Sequence, residues 1–144
     1  MTGWPDSCFP LGMTPAELRK RLAEFAADVA KFTKPLLTSP EARDIARQLR
    51  KSSSSAAANH RAAGVGQSHG DFTAKIGIAA GEADESVYWL QHLRDAGIAT
   101  THAVKPLLLE ATELCAILKA SFGTAKIREE EQKRKKDTAR IRRQ

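Results

Sequence analysis

Aromatic side chains are scarce: five Phe, two Trp and one Tyr make up 6% of 144 residues. Strand-rich cores draw on aromatic and β-branched residues, so this scarcity beside abundant Ala and Leu points to helix. Cysteine is nearly absent. Cys8 and Cys115 are too few for a disulfide framework or a cysteine metal site, and read as thiols of a cytoplasmic protein. Cys115 stands among Leu114, Ile117 and Leu118, where a small buried hydrophobe would stand. No apolar run approaches the ~20 residues of a membrane span, so no membrane association is expected. The opening "MTGWPDSCFPLGM" lacks a basic stretch followed by an apolar one, so no secretion signal is expected. Met13 offers an alternative start, and residues 1–13 read as a disordered or extended arm.

Proline and glycine are both missing from Glu41 through Ala63, a stretch that includes "KSSSSAAANHRAA". A flexible linker would carry such breakers. Instead Ile45, Leu49, Ser52, Ala56, Asn59 and Ala63 recur at steps of three and four, with Ser55 and Ala62 beside them. That spacing predicts a helix whose inner face is built of very small side chains, able to lie close to a neighbour. Ser39, Pro40, Glu41 and Asp44 read as its cap, first turn and dipole-matched acids.

Three more helices follow from periodicity. Thr14, Pro15 and Glu17 form a capping-box start for residues 14–37, whose seam is Leu18, Leu22, Phe25, Val29, Phe32 and Leu36; Pro35 should end it. A third begins at Ser68 or Asp71 and runs to Ala96, stopped by Gly97. Its seam is Phe72, Ile76, Ala79, Ala83, Val87, Leu90 and Arg94, with Ile78, Glu82, Glu85, Trp89 and His92 on another side. Gly77 and Gly81 weaken it unless close packing needs them. The fourth opens at Thr100 or Thr101 and carries Leu107, Ala111, Leu114, Leu118, Ser121 and Ala125. Short connections between four amphipathic helices predict an all-α, antiparallel up-and-down four-helix bundle over residues 14–126.

The formal charge of +6 is unevenly placed. Residues 126–144 hold nine Lys or Arg against four acids, a balance of +5, and residues 1–125 carry only +1. Apolar periodicity stops there too, so residues 127–144 read as a basic tail, either a solvated helix or a frayed end.

Catalytic and metal chemistry find little support. Di-metal bundle sites need Glu-x-x-His pairs, and no Glu stands three residues before His60, His69, His92 or His102. The pairs Glu82/Glu85 and Glu110/Glu113 therefore read as solvated or ion-paired, with Arg43, Arg47 or Arg61 as partners for the first pair. "GVGQSHG" has the spacing GxGxxxG and no preceding strand, so it is a helix connection rather than a dinucleotide loop. The Ser52–Ser55 run lacks a strand–turn–helix setting, and neither cysteine has a neighbouring His in sequence. No enzyme, cofactor or metal is expected.

The segments "RQLRKSSSSAAANHRAA", "DFTAKIGIAAGEADESVYWLQHLRDAG" and "LLLEATELCAILKASFGTAK" together resemble the four-helix-bundle family found in intervening sequences of bacterial 23S rRNA genes. The resemblance covers roughly residues 18–126 and departs at Ala62, where an acid is usual, and at Gly81. It implies a closed homo-oligomer, a pentamer of bundles, without enzymatic activity. More distantly the chain is similar to the accessory protein of diversity-generating retroelements, which implies a reverse transcriptase as an alternative partner.

On these readings the protein is expected to bind nucleic acid, RNA above all, through charge. The candidate contacts are Arg47, Arg50, Lys51 and Arg61 of the second helix, with Lys133, Arg134, Lys135, Lys136, Arg140, Arg142 and Arg143 of the tail. A pentamer would carry +30, and with no aromatics interleaved among the cations, binding should tolerate sequence. Asn59, Glu82, Glu85 and Trp89 are the candidate subunit contacts, because a Trp off the internal seam often marks an interface. The alternative is a protein–protein scaffold or adaptor whose tail engages an acidic partner.

Overall fold

A computed structural model describes residues 12–144, so Cys8 and all but the end of the N-terminal arm lie outside the described residues. Helix α1 spans Pro15–Thr33, α2 Arg43–Ala63, α3 His69–Asp95 and α4 Thr101–Arg142. No strand occurs among the described residues.

The helix starts follow local hydrogen bonding. Thr14 closes a reciprocal box: Glu17 N–H donates to its Oγ1 at 3.1 Å, and its own N–H donates to the Glu17 carboxylate at 2.9 Å. Ser68 and Thr100 cap α3 and α4 by accepting from Asp71 N–H and Ala103 N–H. At Pro35 the missing N–H and ring bulk turn α1 into a 3₁₀ segment, Lys34–Thr38. The second helix starts later than its sequence predicts. Ser39 does accept from Ala42 N–H (3.4 Å) and Arg43 N–H (2.9 Å), yet residues 40–42 form a turn and α2 proper begins at Arg43. Gly97 ends α3 with φ +70°, and Ile98 and Ala99 N–H both return to Leu93 O.

The long-range contacts set the topology. Ser52 of α2 touches Ser86 of α3, and Ala63 clusters with Phe72 and Ile76, so these two helices run antiparallel. Between α3 and α4, His69 Nε2 donates to Ala125 O at 3.0 Å while Asp84 meets Lys119 at 3.1 Å, which is again antiparallel. Arg21 joins α1 to α4 through a bidentate pair with Glu110, both contacts 2.9 Å, and a further bond to Glu113 at 3.2 Å. Those contacts hold the guanidinium charged, its pKa raised first by the Glu110 hydrogen bonds. Glu110 and Glu113 are thereby accounted for.

Large buried side chains come from all four helices, α2 and α3 giving Leu49, Phe72, Ile76, Leu90 and Leu93, and the small ones gather where the middle pair meet. α1 buries Leu18, Leu22, Phe25 and Val29, and α4 buries Leu114, Ile117 and Leu118. α2 and α3 meet through Ser52, Ala56, Ala79, Ala83 and Ser86. The Ser52 and Ser86 hydroxyls lie 2.8 Å apart, and each also bonds its own helix, at Leu49 O (3.1 Å) and Glu82 O (3.0 Å). Two protons serve three short contacts, so one hydroxyl donates across while the other donates back. The same closeness appears at Gly77, where a Cβ would stand 2.8 Å from Phe122 Cε2. Gly81 meets nothing within 4 Å, so packing explains the first glycine and not the second.

The inner line of α2 differs from its sequence reading at two places. Ala46 rather than Ile45 is fully buried, and His60 rather than Asn59 occupies the core position. Asn59 instead turns back to its own helix, donating to Ser55 O at 2.9 Å. In α3 the seam likewise drifts, with Ser86 and Leu93 buried where Val87 and Arg94 are only half-buried. Cys115 is buried, its thiol pushed up by that burial first and by Asp84 against the opposing charge of Lys119, which suits a packing residue and not a nucleophile.

Two outcomes follow. Ala56→Leu forces extra methylenes between α2 and α3 and should cost about 1–3 kcal/mol, read as a fall in the urea midpoint; an unchanged midpoint counts against the close approach. Burial, then the nearby Arg19 charge, lowers the His60 pKa from 6.5 to about 4. As pH falls the unfolded chain takes up that proton first, so stability is complete above pH 6.5 and drains away toward the folded value. From about pH 7 to 5 the loss should be on the order of 2 kcal/mol, and thermal melts of His60→Gln should lack that component.

Candidate nucleic-acid interface

The extension of α4 is a helix. Beyond Ala125, the last buried residue, the chain stays helical to Arg142, and every residue from 130 to 144 is exposed. At 1.5 Å per residue this is a rod about 25 Å long, standing clear of the body. Its sequence is rich in Lys, Arg and Glu, all good helix formers. Lys133 pairs with Glu129 one turn earlier at 3.2 Å. Lys133, Arg134, Lys135 and Lys136 are consecutive, so their side chains point all round the rod; Arg140 and Arg142 follow, and Arg143 caps the end. No single face concentrates the charge.

The α2 candidates divide. Arg47, Lys51 and Arg61 are exposed on one outward line with Ser54 and Ala58, and Arg50 sits half-buried a step around. Arg47 shares Asp44 with Arg43, at 3.7 and 4.0 Å. No ion pair joins Glu82 or Glu85 to Arg43, Arg47 or Arg61 among the described residues, contrary to the sequence reading. The helices project Arg43 and Arg47 outward from α2 at the end remote from Glu82, while Glu85 takes the Trp89 indole N–H at 3.1 Å. Nothing in the monomer brings the α2 cations against the α4 rod. They share an end of the bundle only at Arg61, since the rod leaves beside His69, where α2 finishes and α3 begins.

Arg61 has neighbours that the sequence did not single out. With Arg19 and Lys20 of α1 it rims a groove of about 490 Å³ floored by Ala16, Ala23, Ala57 and Ala58. Among the described residues Arg19 and Arg61 make no ion pair, and Lys20 makes one long contact, 3.9 Å to Glu24. A second groove, between α3 and α4, mixes Arg94 and Lys105 with Glu113 over Val104, Leu108 and Leu109, and so lacks one sign of charge.

The candidate subunit residues sit on or beside the outer line of α3. Trp89 is half-buried and packs edge-on to Tyr88, ring centres 4.8 Å apart, and Tyr88 stacks on His92 at 6.1 Å. Tyr88 is 55% and Ile78 46% exposed, leaving an apolar and aromatic line without cover in the monomer. Glu82 and Glu85 are half-buried along it. Asn59 is on α2, bonded to Ser55, and among the described residues no hydrogen bond joins it to this set.

Among the described residues no three His, Cys, Asp or Glu side chains gather into a metal-sized cluster, and no helix is long and apolar enough to cross a membrane. No curated protein matches the sequence. The crystal structure of a protein with unknown function from the S23 ribosomal protein family of Bacteroides thetaiotaomicron is similar at 28% identity. The alignment covers 77% of this chain and 99% of that one, with a TM-score of 0.71. Nearly the whole of that protein therefore corresponds to part of this one, with about a quarter of this chain left over. The family model described as 23S rRNA-intervening sequence protein matches residues 16–120, which takes in α1 from its second residue, α2, α3 and most of the buried part of α4 but stops before Ser121, Ala125 and the basic rod. By that match through all four helices, the chain belongs to the 23S rRNA-intervening sequence protein family.

Proposed function

We propose that this protein is a non-catalytic homo-oligomer that binds nucleic acid, RNA above all, largely through charge. The observation that carries the reading is the α4 rod: a helix with exposed cations on every side, set on a body that is close to neutral. Holding Lys and Arg on a preformed rod lowers the ordering cost of binding a polyanion, and each phosphate neutralised releases counterions. The absence of aromatics among residues 126–144 fits backbone contact without base stacking.

Self-association has its own support in the exposed Ile78 and Tyr88, with Trp89 half-buried beside Tyr88 at the edge of the core. Large aromatics at the edge of a bundle are enriched at subunit interfaces, and several rods on one assembly would add their affinities. A pentamer is the number the family resemblance implies.

Two measurements test this. Fluorescence anisotropy with a labelled RNA hairpin should show affinity falling on the order of 10³-fold between about 50 and 200 mM salt for six phosphate contacts. Replacing Lys133, Arg134, Lys135 and Lys136 together by Gln should flatten that dependence while leaving the melting temperature unchanged; no binding at the lower salt overturns the reading. Native mass spectrometry should give a multiple of the chain mass, and Ile78→Glu with Tyr88→Glu should return it to a monomer. A monomeric unsubstituted protein overturns the oligomer.

A further inference from the structure

The groove between α1 and α2 is the strongest feature that the α4 rod leaves unexplained. Four arginines elsewhere on the body are matched: Arg21 by Glu110 and Glu113, Arg43 and Arg47 by Asp44, Arg94 by Asp95. Among the described residues Arg50 makes no ion pair, but it stands alone, whereas the groove brings two such arginines together. Arg19 and Arg61 stand on opposite sides of one groove with no carboxylate assigned to either among the described residues. Arg19 lines the groove from α1, and its charge also acts on His60 of α2.

The floor between them is alanine. Ala57 and Ala58 from α2 face Ala16 and Ala23 from α1, and no side chain longer than a methyl group fills the space. A concave strip about 490 Å³ in volume, rimmed by guanidinium and ammonium groups, gives room for a chain of tetrahedral anions to approach both rims at once. Arginine is suited to this because its planar fork donates two parallel hydrogen bonds to phosphate oxygens.

Position adds a further argument. α1 begins, α2 ends and α3 begins at one end of the bundle, and the α4 rod leaves from that end. Arg19, Lys20 and Arg61 are therefore in the part of the body nearest the rod. The outward line of α2 continues the positive strip through Lys51 to Arg47. That line spans about 21 Å, which at 3.4 Å per charge on one strand is the length of about six phosphates.

We infer that the α1–α2 groove is a phosphate track, occupied by the sugar–phosphate backbone of the nucleic acid that the α4 rod captures. Arg19 and Arg61 grip the strand from its two sides and fix its direction across the body. The rod supplies capture and the groove supplies register. This inference rests on the nucleic-acid reading above and deepens it by naming the ligand group and a second point of contact.

The test is the salt dependence of binding by the full chain, measured by anisotropy with a labelled RNA hairpin and with the DNA duplex of the same sequence. Arg19→Gln with Arg61→Gln removes two phosphate contacts, so the slope of log affinity against log salt should become shallower by about 2 on duplex. Both residues are exposed, so the melting temperature should not move. Lys75→Gln with Lys105→Gln removes the same charge from exposed positions outside the groove and should leave the slope unchanged. An equal change in both pairs means net charge alone is acting and overturns the track. An unchanged slope in the arginine pair, with binding still lost on neutralising Lys133, Arg134, Lys135 and Lys136, overturns the track and leaves the rod's role standing. No binding by the unsubstituted chain removes both.

Discussion

The close approach of α2 and α3 governs the rest of the structure. It depends on a run of side chains with almost no bulk, in which Ser52 and Ser86 come within 2.8 Å across the helix interface. A hydroxyl pair at that distance needs both backbones near the short end of the usual 8–10 Å separation. Where the middle helices are this near, the contact line itself contributes little volume to the core. The volume comes from Leu18, Leu22, Phe25 and Val29 of α1, from Leu114 and Leu118 of α4, and from Leu49, Phe72, Ile76, Leu90 and Leu93 on the remaining buried positions of α2 and α3. Phe122 lying over Gly77 is the same constraint seen at the α3–α4 boundary.

That division of labour also decides where polar chemistry can sit. Inside, polar groups are few: the buried Ser53 and Ser121 hydroxyls bond carbonyls of their own helices, and of the Ser52 and Ser86 pair one bonds its own helix while the other bonds across. The Arg21–Glu110–Glu113 cluster ties the two outer helices together at their half-exposed edge, where bidentate geometry favours the pair without full desolvation. Among the described residues, cations without an ion-pair partner are scattered over the body, as at Lys51, Lys75 and Lys105, and gather in two places, the α4 rod and the α1–α2 groove. The two clusters are separate in space and lie toward one end of the bundle.

Much of this was legible in the sequence, for identifiable reasons. Capping is local, so Thr14 with Glu17, Ser68 and Thr100 marked their helices correctly. So did Gly97, the positive-φ stop. The 52–56–63 line of α2 was visible because a helical period persisted through residues too small to be conspicuous. The drift to Ala46 and His60 was not visible, because a 3.6-residue period fits two adjacent lines almost equally well and neighbouring helices choose between them. The start of α2 was misplaced because Ser39 and Pro40 form an adequate cap for a turn that need not grow directly into the helix.

For the candidate interface the same boundary holds. Composition alone determined that residues 126–144 are strongly basic and have nothing apolar to bury, and good helix formers at salt-bridge spacing made a rod available. The tertiary structure decided that Arg61 belongs with Arg19 and Lys20, residues about forty positions apart in the chain. It also decided that Glu82 and Glu85 do not meet the α2 arginines. The physical reason is range: caps, periodicity and charge runs are set within a few residues, and a groove is made by the facing sides of two helices whose rotation about their axes is fixed only when they pack.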